Sequence, residues 1–388
     1  MARITLKEEE KREIIEWRRD FHAHPEIAYQ EVRTSEIVAK RLSEFGYHVQ
    51  TKLAGTGVVG LLKGSKGGKT LLVRSDMDAL PVREENEVEY QSKNDGVMHA
   101  CGHDGHMAIL LMTAKKMREE KNLKGTVKFV FQPAEEGGNG ASKMIEEGVL
   151  ENPKVDACLG LHLWNNLPVG KVAVTPGPIL AAVDDFELMI IGKGGHGAMP
   201  EATVDPIVTS SQIITSLQTI VSRNVSPLET AVVTIGTIEG GTAFNVIANE
   251  VVMKGTVRTY SMKLLEEIPK RFEEIVKGVT SAMGASYKLE YKQICLPTIN
   301  EPKMTQLVRE SAIEVVGEEN IVEGERTMGG EDFSFFLNKV PGCFFFVGSR
   351  NESKGLHYTH HSSHFNFDED ALGIGVEIMR KAIMRYFR

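Results

Sequence analysis

Cys101, His103, Glu135, Glu136, His162 and His361 are the residues of this chain best suited to chemistry. Cys101 and His103 stand in Met98-His99-Ala100-Cys101-Gly102-His103-Asp104-Gly105-His106, the glutamates in Gln132-Pro133-Ala134-Glu135-Glu136-Gly137-Gly138, and His162 in Leu161-His162-Leu163-Trp164. Thiolate, imidazole and carboxylate donors in this mixture suit zinc and its neighbours better than calcium or magnesium, which prefer oxygen. Any one such residue alone is more often structural or surface-exposed than a ligand. Clustering changes the balance, because many of the twelve histidines crowd into 99–106 and 357–364. Both segments are too rich in Gly, Ser or His to read as packed helix.

Adjacent glutamates are too costly to bury bare, so Glu135 and Glu136 either project into water as an acidic turn or face a cation. Neighbouring side chains on extended backbone diverge, so one can bind metal while the other reaches the water that the metal activates. Such a water needs a carboxylate to take its proton and later pass that proton to a departing amine. Cys101 also admits a competing role, a nucleophile with His103 as its base. Two residues apart, the pair is better placed to grip one metal from the same side, and the ligand role is preferred. Asp76 and Asp78 fit two roles equally, orienting ligand imidazoles or merely closing a strand. His196, in Gly194-Gly195-His196-Gly197, reads unaided as a loop histidine, and Arg258 as a surface cation at a strand end.

The elements that must position these residues are legible in the apolar spacing. Ile14, Trp17 and Phe21 form one helical stripe, Val38, Leu42 and Phe45 a second, and Met107, Leu110, Leu111, Ala114 and Met117 a third. Short apolar runs at 58–62, 70–75, 125–131 and 155–161 predict buried strands between them. The chemical residues follow those strands directly: Asp76 and Asp78 after the first long run, Glu135 and Glu136 after the next, His162 at the end of the last. The pattern predicts an α/β fold, an open mixed sheet with helices on both faces and its site beyond the strand ends.

From Asp184 the rhythm becomes strand, helix, strand, strand, helix, strand, the βαββαβ order of a ferredoxin-like unit. Pro176-Gly177-Pro178 and Cys295-Leu296-Pro297 bracket it. A chain of 388 residues is long enough for two domains. If His361 completes a site begun by Cys101, the first domain is discontinuous: 1–178 and 297–388, with 179–296 inserted. A net charge of −8 with no basic block argues against nucleic-acid binding. No stretch is apolar enough to span a membrane, and the acidic start lacks a secretory pattern. The four cysteines are far apart with no CxxC pair, so a cytoplasmic protein is expected.

Taken together the motifs resemble those of the zinc-dependent aminoacylase and carboxypeptidase metallopeptidases, in the subgroup of hippurate hydrolases, N-acyl amino acid amidohydrolases and auxin-conjugate hydrolases. The likeness covers nearly the whole chain. It runs through Phe21-His22-Ala23-His24-Pro25-Glu26, Asp76-Met77-Asp78-Ala79-Leu80-Pro81, His99-Ala100-Cys101-Gly102-His103-Asp104, Gln132-Pro133-Ala134-Glu135-Glu136-Gly137, Gly194-Gly195-His196-Gly197-Ala198, Asn245-Val246-Ile247, Gly255-Thr256-Val257-Arg258 and Glu331-Asp332-Phe333.

The resemblance implies a site for two divalent metal ions, zinc before manganese, cobalt or nickel, held by Cys101, His103, Glu136, His162 and His361. Glu135 would be general base and acid, and Asp78 a supporting residue behind the ligands. The inserted domain would mediate a homodimer, or a tetramer, and send His196 to the partner's site to stabilise the oxyanion. Asn245 and Arg258 would bind the substrate carbonyl or carboxylate.

The chain departs from the family pattern in places. Ala248 replaces a common Pro, which loosens that loop without removing its contacts. His361-Ser362-Ser363-His364-Phe365 replaces His-Ser-Pro before an aromatic, so His360 competes with His361 as last ligand. Asp76 stands where related peptidases outside the subgroup carry a metal-binding His, consistent with Cys101 having taken over that duty. The expected function is metal-dependent hydrolysis of N-acyl amino acids, or of C-terminal residues of short or blocked peptides, through a metal-bridging water. The alternative is a catalytically silent protein of the same fold that senses an amino acid conjugate; it predicts a missing base or ligand, and neither is missing.

Overall fold

The computed structural model describes residues 2–388, which divide into two compact units. The first comprises the chain up to Ile179 together with Ile299–Glu325 and Asp332–Arg388; the second comprises Leu180–Thr298 and Arg326–Glu331.

The first unit opens with two helices, α1 (Glu8–Ala23) and α2 (Val32–Glu44), then strands β1 (His48–Leu53), β2 (Gly57–Lys63) and β3 (Lys66–Asp76). Helix α3 (His103–Arg118), strand β4 (Lys124–Gln132), helix α4 (Gly140–Glu146) and strand β5 (Ala157–Pro168) follow. An eight-stranded mixed sheet has the order β1-β2-β4-β3-β5, then Gly342–Arg350, Val172–Ala173 and Ile321–Val322. Its centre is parallel: β4 with β3, β3 with β5, and β5 with Gly342–Arg350. Parallel strands of this kind are buried on both faces and so read as near-continuous apolar runs. Val127, Phe129 and Phe131 of β4 and Leu71 and Val73 of β3 accordingly join one core with Ile14, Trp17 and Phe21 of α1 and with Ile374, Ile378 and Ile383 of the last helix, Asp370–Tyr386.

Two local expectations are corrected here. Helix α3 begins at His103, so His103 and His106 lie in a packed first turn rather than a glycine-rich loop. The glycine is what permits the packing: a Cβ on Gly105 would lie 2.4 Å from Leu163 Cδ1 and 2.7 Å from Phe367 Cζ. Gly105→Ala is therefore expected to cost about 1–3 kcal/mol by overpacking. A urea midpoint equal to that of the parent protein would contradict this.

Strand β5 also does not stop at Leu161 but continues to Pro168, so His162 is mid-strand. Its pairing with β3 ends at Arg74↔Gly160, whereas the Gly342–Arg350 strand carries it on through Phe346↔His162 and Gly348↔Trp164. Once β3 has left, the Leu163 N–H is free to donate to His106 Nε2 at 2.9 Å.

In the second unit four antiparallel strands have the order Ala231–Gly240, Glu250–Thr259, Ala182–Ile191, Ser286–Cys295, with helices Pro206–Thr219 and Met262–Met283 between them in sequence. This is a ferredoxin-like arrangement. Along Ala182–Ile191 every second residue is buried, among them Phe186, Leu188 and Ile190, as one covered face demands. Leu264, Ile268, Phe272, Ile275 and Val276 bring the matching stripe from the longer helix. Ser261 caps that helix by accepting from Leu264 N, and Gly284 in the left-handed region ends it.

Candidate metal centre

Three strands and one turn of helix deliver the chemical side chains. Asp76 ends β3, His103 opens α3, Glu135 and Glu136 follow β4, and His162 rides on β5. Cys101 lies just before Gly102, whose φ of +89° turns the chain into α3. His361 adopts φ +67° in the segment before the last helix, and its N–H donates to Ala100 O at 2.8 Å.

The five residues expected as ligands come together as two triads that share one sulfur. Within each, Cys101 with His103 and His162, and Cys101 with Glu136 and His361, the potential ligand atoms all lie within 4.8 Å of one another. Cys101 Sγ is 3.5 Å from His162 Nε2, and His361 Nε2 is 3.2 Å from Glu136 Oε1. Glu135 groups with His103 and Glu136 in the same way. His360 does not join either group. Its Nε2 bonds Leu163 O at 2.9 Å and its ring stacks on Trp164, whereas His361 is the one grouped with Cys101 and Glu136.

Behind the donors the ring orientations are fixed. His103 Nδ1 donates to Asp78 O at 2.8 Å, and His162 Nδ1 to Leu163 O at 2.6 Å, which turns each Nε2 lone pair away from the backbone. The Asp78 carboxylate has a further task. Its oxygens accept from Glu135 N at 3.0 Å and Glu136 N at 2.9 Å, while Glu31 Oε1 accepts from Ala134 N at 2.9 Å. Buried carboxylates thus hold consecutive amides of the turn that presents the glutamate pair. Asp76 Oδ1 bonds His106 Nδ1 at 2.8 Å, an imidazole outside the expected ligand set.

The electrostatics fit a cation. His103 Nε2 is buried without a hydrogen-bond partner, and Glu136 Oε1 is buried with only the His361 imidazole, at 3.2 Å, beside it. Burial alone would lower the His103 imidazole, yet Asp76 and Asp78 override it and raise it to about 10. Burial, then Glu136, Glu135 and Asp76, push the Cys101 thiol well above its ordinary range. Burial and neighbouring imidazoles push His162 well below its own. Carboxylates crowding a half-buried thiol and an unpartnered imidazole nitrogen make an environment that positive charge stabilises.

The remaining expected residues belong to the second unit. His196 pairs with Val246 across a short two-stranded ribbon, Gly195–His196 against Val246–Ile247, and Asn245 O accepts from Gly197 N at 2.8 Å. The ribbon therefore gathers His196 and Asn245. His196 is exposed, with Nδ1 accepting from Ala198 N at 3.0 Å. Arg258 is half-buried on Glu250–Thr259 and donates to the Thr256 hydroxyl.

Sequence reasoning missed the polar groups beneath the site. Arg18 and His22, fully buried, meet at Asp104, and Arg74 links Gln132, Asp76 and Asp332. A usable signal was present: Arg18 and His22 fall on the apolar face of α1 with Ile14 and Phe21, where a charged side chain is costly without partners.

The model for the peptidase family M20/M25/M40 matches residues 72–385. The chain belongs to that family and is thereby a hydrolase of amide bonds. It is 41% identical over 373 residues to Thermostable carboxypeptidase 1 of Saccharolobus solfataricus, covering 94% of either chain. It is 46% identical over 297 residues to the N-acyl-L-amino acid amidohydrolase of Geobacillus stearothermophilus, covering 76% of this chain and 80% of that one. Among solved structures, a Bacillus subtilis protein described as a dinuclear metal binding peptidase superposes with a TM-score of 0.85 at 33% identity, over 98% of this chain and 99% of the other.

Proposed function

We propose that the protein hydrolyses the amide bond of N-acyl amino acids, or frees the C-terminal residue of short or blocked peptides, at a site for two divalent cations. The observation that carries this reading is the pair of donor triads meeting at Cys101, with Glu135 beside them. Cys101, His103 and His162 would hold one cation, and Cys101, Glu136 and His361 the other. Zinc is the favoured metal for this sulfur, nitrogen and oxygen set, and manganese, cobalt and nickel are compatible with it. When bound, such cations polarise the substrate carbonyl and acidify water.

The chain's own residues supply the rest. Glu135 takes a proton from the attacking water and returns it to the departing nitrogen. Asp78 keeps Glu135 and Glu136 aimed through their amides. Arg258 holds the substrate carboxylate with its forked donors, Asn245 binds the carbonyl, and His196 of the partner subunit donates to the oxyanion. Pairing of copies through the second unit is supported by the edge position of Ala231–Gly240 and by fully exposed Phe244 and Leu228. Cytoplasmic residence belongs to the same reading, since the four cysteines are far apart in the sequence with no CxxC pair. Among the described residues no helix is long and apolar enough to cross a membrane.

Acetyl, benzoyl and peptidyl amino acids, each with a free or an amidated carboxyl end, form the test panel. A charged hydrogen bond is worth about 1.5–3 kcal/mol, so amidation is expected to lower kcat/KM by roughly 10–100-fold. Equal cleavage of free and amidated substrates would remove Arg258 from its role, and no cleavage of any of them would remove the substrate class.

A further inference from the structure

Beneath the metal centre one guanidinium joins two distant parts of the chain. Arg18 Nε donates to Asp104 Oδ2 at 2.8 Å, and its Nη2 donates to Asn366 Oδ1 at 2.8 Å. His22, one helical turn further along α1, holds the same Asp104 oxygen through Nδ1 at 2.8 Å and meets Glu84 Oε1 through Nε2 at 3.1 Å. Glu84 Oε1 in turn accepts from Asn86 Nδ2, which also donates to Phe365 O at 3.0 Å. Asp104 adjoins His103 in the first turn of α3, whereas Phe365 and Asn366 follow closely on His361. Both arms therefore tie the segment that carries His361 to the segment that carries Cys101 and His103.

Three of the other expected ligands are held by a strand or by Asp78: His162 in β5, His103 by the carbonyl of Asp78, and Glu136 by the carboxylate of Asp78. His361 stands in a segment of turns, in the left-handed region that side chains with a Cβ rarely adopt, and one backbone bond, its N–H to Ala100 O at 2.8 Å, joins it directly to the Cys101 segment; the two arms brace that single bond from below. A fully desolvated ion pair such as Arg18–Asp104 adds little net stability over apolar packing, so its consequence lies in where it fixes its partners.

We propose that Arg18 and His22 are positioning residues for the cation position that His361 completes. They touch neither substrate nor cation; they hold the His361 segment in register with Cys101, so that Cys101, Glu136 and His361 close on one ion. This rests on the two-cation reading above.

The test is titration of the chelator-stripped protein with zinc alone, followed by calorimetry, for the parent chain, Arg18→Met and the double variant Asn86→Ala/Asn366→Ala. Asn366→Ala, combined with Asn86→Ala, leaves the Arg18–Asp104 pair and the Arg18 Nη1 bond to Glu369 intact and removes the hydrogen bonds of both arms to Phe365 and Asn366, so the double variant decides the matter should Arg18→Met fail to fold. The parent is expected to bind two equivalents. In the variants one equivalent should weaken by about 10–100-fold, the range for residues that orient ligands, while the other stays within about threefold. Unchanged affinity for both equivalents in the folded double variant Asn86→Ala/Asn366→Ala, or equal weakening of both, would overturn the positioning role. A parent chain that binds fewer than two equivalents would instead overturn the two-cation reading, and this proposal with it, before any variant is compared.

Discussion

Glu135→Gln is expected to lower kcat by about 10²–10⁴-fold while leaving the bound cations in place. The amide has nearly the shape of the carboxylate but cannot accept the proton that the attacking water must lose. Nothing else in the site should move, because the backbone of this turn is held from outside: Asp78 accepts from the amides of residues 135 and 136, and Glu31 from that of Ala134. Glu136, in the triad with Cys101 and His361, keeps its carboxylate. The substitution therefore separates proton transfer from cation binding. Metal content measured on the variant should equal that of the parent, and KM should change far less than kcat. Turnover within tenfold of the parent would mean that another group carries the proton.

What the sequence disclosed and what it hid follow from range. The donor segments were legible because each is short and rich in one chemistry, and the sheet because β3, β4 and β5 are apolar runs covered on both faces. Strand β1 was not, since His48–Leu53 is an edge strand whose residues are mostly exposed and show no apolar period. The extent of β5 past Leu161 was hidden for another reason: Gly342–Arg350, its partner there, lies far along the chain. The start of α3 at His103 was masked by Gly102 and Gly105, which look like loop residues until the positive φ of Gly102 and the space that Leu163 and Phe367 take beside Gly105 are seen. Histidine chemistry was similarly ambiguous at close quarters. His106 shares a segment with Cys101 and His103 yet is spent on Asp76 and Leu163, a structural duty that only the strand geometry explains.

Cys101→Ala is expected to weaken both cations, because this sulfur is the donor common to both triads. Turnover and metal content should fall together, by more than about hundredfold in affinity if a ligand outweighs the groups that merely orient it. A nucleophilic cysteine predicts the opposite pairing, turnover lost with cations retained. The structure already weighs against that role. The imidazole in hydrogen-bonding range of the thiol is that of His162, with Nε2 3.5 Å from Sγ, and not that of His103, the base the nucleophile role would have used. A reactive pair needs the thiol lowered and the base raised, but burial and the carboxylates of Glu136, Glu135 and Asp76 push this thiol up, while burial and neighbouring imidazoles push His162 down. Chelation of the parent protein should accordingly abolish turnover, and a divalent cation should restore it. Activity that survives complete stripping yet is lost to iodoacetamide would return Cys101 to the nucleophile's role and leave His162 as its base.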